Sequence, residues 1–257
     1  MAEKTDYIAV IDSGVGGISV LRELVRLIPG ERYLYFGDSA NAPYGTKSPD
    51  TIRALTDATV KRLMQRGIKA LVVACNTATA TAISFLREKY PELIIIGIEP
   101  ALKPAVLQFP AGTIGIMATP VTLREEKLQR LIARYPHPDL RLIPAPGLVE
   151  LVESGLADSP EMDAFLQSVL QPYIGKLSAL VLGCTHYPFA EASIRRVLGP
   201  ETVLIDGGEG TARQTRRLLE QAGLLMEGDG CVIFENSLKD PEITALCQQL
   251  LSEVSHG

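Results

Sequence analysis

None of the four cysteines, Cys75, Cys184, Cys231 and Cys247, falls in a CxxC pair, and no secretory signal accompanies them. This pattern favours neither a disulfide framework nor a zinc site, so free thiols are expected and no metal is called for. No apolar run approaches the ~18 residues that a membrane span needs. The opening MAEKTDY lacks a basic stretch followed by an apolar one, so a cytoplasmic protein without membrane association is expected. Positive charge is not in excess either: 25 Lys and Arg against 30 Asp and Glu leave a formal charge of −5. That argues against nucleic-acid binding driven by net electrostatics. The densest basic group, RQTRR at 213–217, reads as the solvated face of a helix. Histidine is scarce as well, with only His137, His186 and His256.

What is present is apolar and periodic. A hydrophobic fraction of 46% with 21% charged residues is ordinary for a globular chain that buries a sizeable core. Short β-branched runs at 7–11, 32–36, 70–74, 93–97, 113–117, 140–144, 179–183 and 202–206 read as strands. Helix-like segments lie between them at 16–28, 49–66, 77–89, 121–134, 160–175, 189–198 and 210–222. Strands that are apolar on both faces and alternate with helices predict an α/β fold with mainly parallel sheets.

A weak internal repeat refines this reading. IAVIDSG at 8–14 lines up with IGIMATP at 114–120, and ALVVACNT at 70–77 lines up with ALVLGCTH at 179–186, at offsets of 106 and 109. Two small pseudo-symmetric α/β domains are expected, residues 1–98 plus 210–257 and residues 99–209, with the active site in the cleft between them. The segment after about residue 210 belongs to neither repeat and is expected to return to the first domain.

In open α/β sheets, ligands bind beyond the carboxyl ends of the strands. After the first strand comes DSGVGG at 12–17, whose glycines permit a tight turn and whose amides suit an anion. Asp12 offers a base or an N-cap, and Ser13 a hydroxyl. The run lacks GxGxxG spacing and a P-loop lysine, so it is a weak nucleotide signature. The second strand is followed by GDSANAPYGTKS at 37–48, where PYG at 43–45 is either a ligand contact or turn chemistry.

The third strand of each repeat ends in a thiol: Cys75-Asn76-Thr77 and Cys184-Thr185-His186. A cysteine at such a strand end is expected near a helix N-terminus, where the dipole favours thiolate. A lone buried cysteine is usually inert, but two at matching turns suggest function. His186, next but one to Cys184, is placed to orient or protonate it. Two acid/base groups on opposite sides of a cleft suit removal of a proton from one face of a carbon and delivery to the other. That describes a racemase or epimerase. A reversible disulfide between Cys75 and Cys184, or a non-catalytic anion binder, are the alternatives from other classes; the first needs Cα atoms within about 7 Å.

DSGVGG, GDSANAPYGTKS, VVACNTATA at 72–80, GIEPA at 97–101, LVESG at 151–155 and VLGCTHYPF at 181–189 together resemble the cofactor-independent glutamate racemases. The likeness covers most of residues 7–210 in colinear order. It implies that Cys75 deprotonates D-glutamate and Cys184 L-glutamate, with Asp12 supporting Cys75 and with His186 and Glu153 supporting Cys184. It further implies that Ser13, Pro43, Tyr44, Gly45, Asn76, Thr77 and Thr185 bind the amino acid, with Thr119 or Thr122 from the second repeat. No cofactor, a homodimer, and a role in supplying D-glutamate to peptidoglycan are the family's attributes. Two departures spare the proposed catalytic groups: Ala145 stands where many relatives have a cysteine, and DGGEG at 206–210 is richer in glycine than usual. Only about six residues precede the first strand, which disfavours an N-terminal regulatory extension.

Overall fold

Alternation along the strands decides which face each side chain takes. The structure is a computed structural model describing residues 2–252; His256 lies outside the described residues. The first unit begins with β1 (Tyr7–Asp12), α1 (Ile18–Leu27), β2 (Arg32–Gly37), α2 (Pro49–Met64), β3 (Ile68–Val73), α3 (Asn76–Lys89) and β4 (Ile94–Gly97). Ala9 and Ile11, Leu34 and Phe36, and Leu71 and Val73 share one core cluster with Ile52, Val60 and Leu63 of α2 and Ala82 and Leu86 of α3. Tyr33, just before Leu34, faces α1 instead, its hydroxyl proton shared between the carbonyls of Leu24 and Ile28 at 3.0 and 2.9 Å. β3 is buried at every position, as a central parallel strand requires.

The second unit runs through α4 (Leu102–Gln108), β5 (Ile114–Ala118), α5 (Pro120–Arg124), α6 (Glu126–Arg134), β6 (Leu140–Pro144), α7 (Leu148–Glu153), α8 (Pro160–Leu170), β7 (Ala179–Leu182), α9 (Glu191–Leu198) and β8 (Val203–Asp206). The chain then adds α10 (Gly208–Gln221), β9 (Cys231–Asn236) and α11 (Pro241–Ser252) to the first unit. There β9 pairs with β2, while α10 and α11 pack on α1.

Both sheets are parallel throughout. Their orders are β4-β3-β1-β2-β9 and β6-β5-β7-β8. Read from the other edge, the second order is β8-β7-β5-β6, which is the first four strands of the first sheet with each number raised by four. The repeat in sequence is therefore a repeat in topology.

Several expectations are corrected. β9, α4, α7 and α11 were not anticipated. The single helix expected over 121–134 is two, because Glu125 adopts an extended conformation (φ −66°, ψ 138°) between α5 and α6. The helix expected over 160–175 ends at Leu170, followed by a 3₁₀ turn, Gln171–Tyr173.

Two side-chain clusters fix the first unit. Lys69 of β3 and Glu31 form an ion pair at 2.6 Å with both side chains fully buried. Lys69 Nζ also donates to the Leu224 carbonyl at 3.0 Å, and the Met226 amide donates to Glu31 Oε1 at 2.8 Å. The pair thereby anchors the segment that follows α10. On α2, Asp57 accepts from Lys61, Lys89 and the Tyr90 hydroxyl at 2.7 to 2.9 Å, clamping α2 to the end of α3. Among the described residues no helix is long and apolar enough to cross a membrane.

Candidate active site

In each unit the residue before the thiol extends the sheet by one further bond. The Ala74 amide donates to Ile11 O at 2.8 Å, and the Gly183 amide donates to Met117 O at 2.7 Å. A Cβ on Gly183 would lie 2.9 Å from the Ala118 Cβ, so this crossing needs glycine. Both thiols are buried, Cys75 at 6% and Cys184 at 8% exposure.

From that point the two sites diverge. Cys75 is the N-cap of α3, and its sulfur accepts the Ala78 amide at 3.4 Å. An amide donor at a helix N-terminus stabilises negative charge on sulfur. The Cys75 thiol lies 3.8 Å from Ser13 Oγ. Cys184 has no such cap, which corrects the expectation of a helix N-terminus there. A 3₁₀ turn, Tyr187–Ala190, follows instead, and α9 starts only at Glu191.

Cys184 Sγ lies 3.8 Å from His186 Nδ1, and His186 Nε2 lies 2.6 Å from Glu153 Oε1 at the end of α7. Burial of the ring pushes its pKa down. The hydrogen bonds to Cys184 and Glu153 and the charges on both outweigh that, leaving His186 well above its ordinary value. Both contacts favour the protonated ring.

Around Cys75, Asp12 and Tyr44 line a small cavity of about 10 Å³ with the thiol, closed on the α2 side by Thr56 and Thr59. Asp12 Oδ1 accepts the Gly14 amide at 3.0 Å. It closes a turn and does not cap α1, whose N-cap is Gly17 without a side-chain bond; the N-cap reading of Asp12 is corrected. Gly17 is required because a Cβ there would sit 2.7 Å from Asp12 Cβ. Pro43 and Gly45 are half-buried and flank the buried Tyr44, which begins a 3₁₀ turn over Tyr44–Thr46. Asn76 is 5% exposed, and both heteroatoms of its side-chain amide lack a hydrogen-bond partner. A buried amide left this way costs about 1–3 kcal/mol unless a ligand completes it. Thr77 is buried beside it on the first turn of α3.

In the second unit Thr185 is buried between Cys184 and His186. Thr119 caps α5, accepting the Thr122 amide at 3.2 Å and donating to the Thr122 hydroxyl at 3.0 Å, so these two threonines form one local unit. The Tyr187 hydroxyl donates to the Ala145 carbonyl at 3.3 Å. Sequence reasoning missed Asp38 and Asn41. Asp38 is 5% exposed and accepts the Tyr44 hydroxyl at 2.7 Å and the Asn41 amide at 3.0 and 3.2 Å. The signal was available: an aspartate directly after the second strand, much as Asp12 ends the first.

Comparison with known proteins returns one consistent class. A family model described as Asp/Glu/Hydantoin racemase matches residues 8–215. A glutamate racemase of Clostridium acetobutylicum is 48% identical over 98% of this chain and 99% of its own length. A crystal structure of glutamate racemase from Thermus thermophilus, in complex with beta-chloro-D-alanine, superposes with a TM-score of 0.82 at 37% identity, covering 98% of this chain and 94% of that one. One from Francisella tularensis, in complex with D-glutamate, gives 0.85 at 28% identity over 97% and 95%.

Proposed function

The chain belongs to the Asp/Glu/Hydantoin racemase family, and on that footing we propose that it interconverts L- and D-glutamate by proton transfer between the thiols of Cys75 and Cys184. The observation that carries this reading is the buried thiol at the equivalent turn of both units, each with its own acid/base surroundings.

In the D-to-L direction the Cys75 thiolate takes the α-proton and the Cys184 thiol delivers one to the opposite face. The thiolate then left on Cys184 is neutralised by the His186 imidazolium, which Glu153 holds in place. In the reverse direction Cys184 is the base and Cys75 the acid, and the Ala78 amide at the start of α3 stabilises the charge on Cys75 when it is a thiolate. Asp12 supports Cys75. Asn76, with both amide atoms unmatched, supplies a donor and an acceptor to the amino acid, and Ser13, Pro43, Tyr44, Gly45, Thr77, Thr185 and the Thr119–Thr122 pair complete its binding. Without a cofactor to delocalise the carbanion, such preorganised donors must lower the barrier. The proposed role is supply of D-glutamate for peptidoglycan by a cytoplasmic homodimer.

Circular dichroism of L- or D-glutamate incubated with the protein and no added cofactor tests the reading: either enantiomer should lose its optical signal. Cys75→Ala and Cys184→Ala should each lower that rate by at least about 10³-fold, in the upper range for loss of a general acid/base. Near-wild-type racemization by either variant refutes the two-thiol mechanism. Aspartate or a hydantoin turning over faster than glutamate in the same assay refutes the substrate.

A further inference from the structure

The Tyr44 hydroxyl has one hydrogen, and that hydrogen is committed. It donates to Asp38 Oδ2 at 2.7 Å. Asp38 is fixed in turn, with the Asn41 amide reaching both of its oxygens and its own backbone amide donating to Asp12 O at 2.9 Å. A phenol whose proton is spent can offer a third group only its lone pairs. The third group at hand is Cys75, which lines the same small cavity as Tyr44 and Asp12.

We infer that Asp38 is a positioning residue that turns the Tyr44 hydroxyl proton away from Cys75, so that the phenol does not donate to the thiol across the cavity they share. This rests on the assignment of Cys75 as a base and deepens it. A donor aimed at the sulfur would stabilise the thiolate and make it a weaker base. The titratable groups around the phenol are Asp38 after β2, Asp12 at the end of β1 and Cys75 at the start of α3, while α2 contributes the non-titrating Thr56 and Thr59 to the cavity. Burial, the bond to Asp38 and the charges of all three groups hold the phenol above its ordinary pKa, so Tyr44 keeps its proton and the direction of that proton is what Asp38 decides.

Asp38→Asn tests this, because an asparagine amide can donate to the phenol oxygen and free the phenol proton for the sulfur. The readout is the pH midpoint of Cys75 alkylation by iodoacetamide, followed by peptide mass spectrometry, without substrate. Asp38→Asn should lower that midpoint by about one pH unit, the scale of one altered hydrogen bond to a thiolate. Tyr44→Phe, which has no hydroxyl proton to turn, should leave it near the wild-type value, and the double variant should shift no further than Tyr44→Phe alone. An unmoved midpoint in Asp38→Asn, or additive shifts in the double variant, overturns the proposal; additivity would mean that Asp38 acts as a distant charge. Should Asp38→Asn fail to fold, Asn41→Ala, which loosens the same carboxylate, must lower the midpoint in its place, and an unchanged value overturns the proposal equally. Since alkylation involves no glutamate, these outcomes are separate from those of the racemization assay.

Discussion

His186 stands between opposing pressures. Full burial disfavours a charged ring, while Glu153 at 2.6 Å and Cys184 at 3.8 Å favour it and prevail. A folded-state pKa raised above the unfolded value means that the linked stability is fully present below about pH 6.5 and is lost as pH rises through the raised value. Glu153→Gln removes part of that support. Thermal melts should therefore show its greatest destabilisation near pH 6 and a shrinking difference from wild type at more alkaline pH; a difference that grows toward high pH contradicts the assignment. The thiols themselves were legible in sequence because a cysteine after an apolar strand is conspicuous and here occurs twice. Asp38 was not, because its importance comes from where the Tyr44 hydroxyl points. The unmatched amide of Asn76 likewise appears only when its neighbours are known.

Helix α3 is held at both ends. Cys75 caps its start, and Asp57 of α2 receives Lys89 and Tyr90 at its finish. Asp57 is partly desolvated, which raises its pKa, but Lys89, Lys61 and Tyr90 more than reverse this and bring it to about 2. A depressed carboxylate pKa gives stability that is present above the unfolded value and lost as pH falls through about 2. Because the lysines are partly exposed, screening limits the effect, and Asp57→Asn should cost about 1 kcal/mol near neutral pH in urea unfolding. The cost should fade as the solution approaches pH 2; a constant penalty would point to packing instead. The first eight strands could be read from their β-branched runs. β9 could not be placed in the same way: CVIFEN is a half-buried edge with no counterpart in the repeat. The α5–α6 break was hidden because Glu125 carries no proline or glycine signal.

On the scale of the chain, two copies of one strand order carry unlike equipment. The first copy is completed by residues from the far end of the sequence, and the Lys69–Glu31 pair binds that return segment to β3. Lys69→Met should cost about 3–5 kcal/mol in urea unfolding, since it strands a buried carboxylate, whereas Lys69→Met combined with Glu31→Leu should recover most of the loss. A single variant as stable as wild type would show that the pair is dispensable. The unlikeness of the two thiol sites, one capping a helix and one paired with His186, has a thermodynamic limit. Mirror-image substrates have equal free energy, so their equilibrium constant is one and kcat/KM must be identical in the two directions for every variant that obeys the proposed mechanism. Altering one thiol's surroundings therefore cannot make the protein prefer an enantiomer. Any change in kcat/KM falls equally on both directions, while kcat and KM of one direction can shift in proportion and so set which enantiomer saturates the enzyme first.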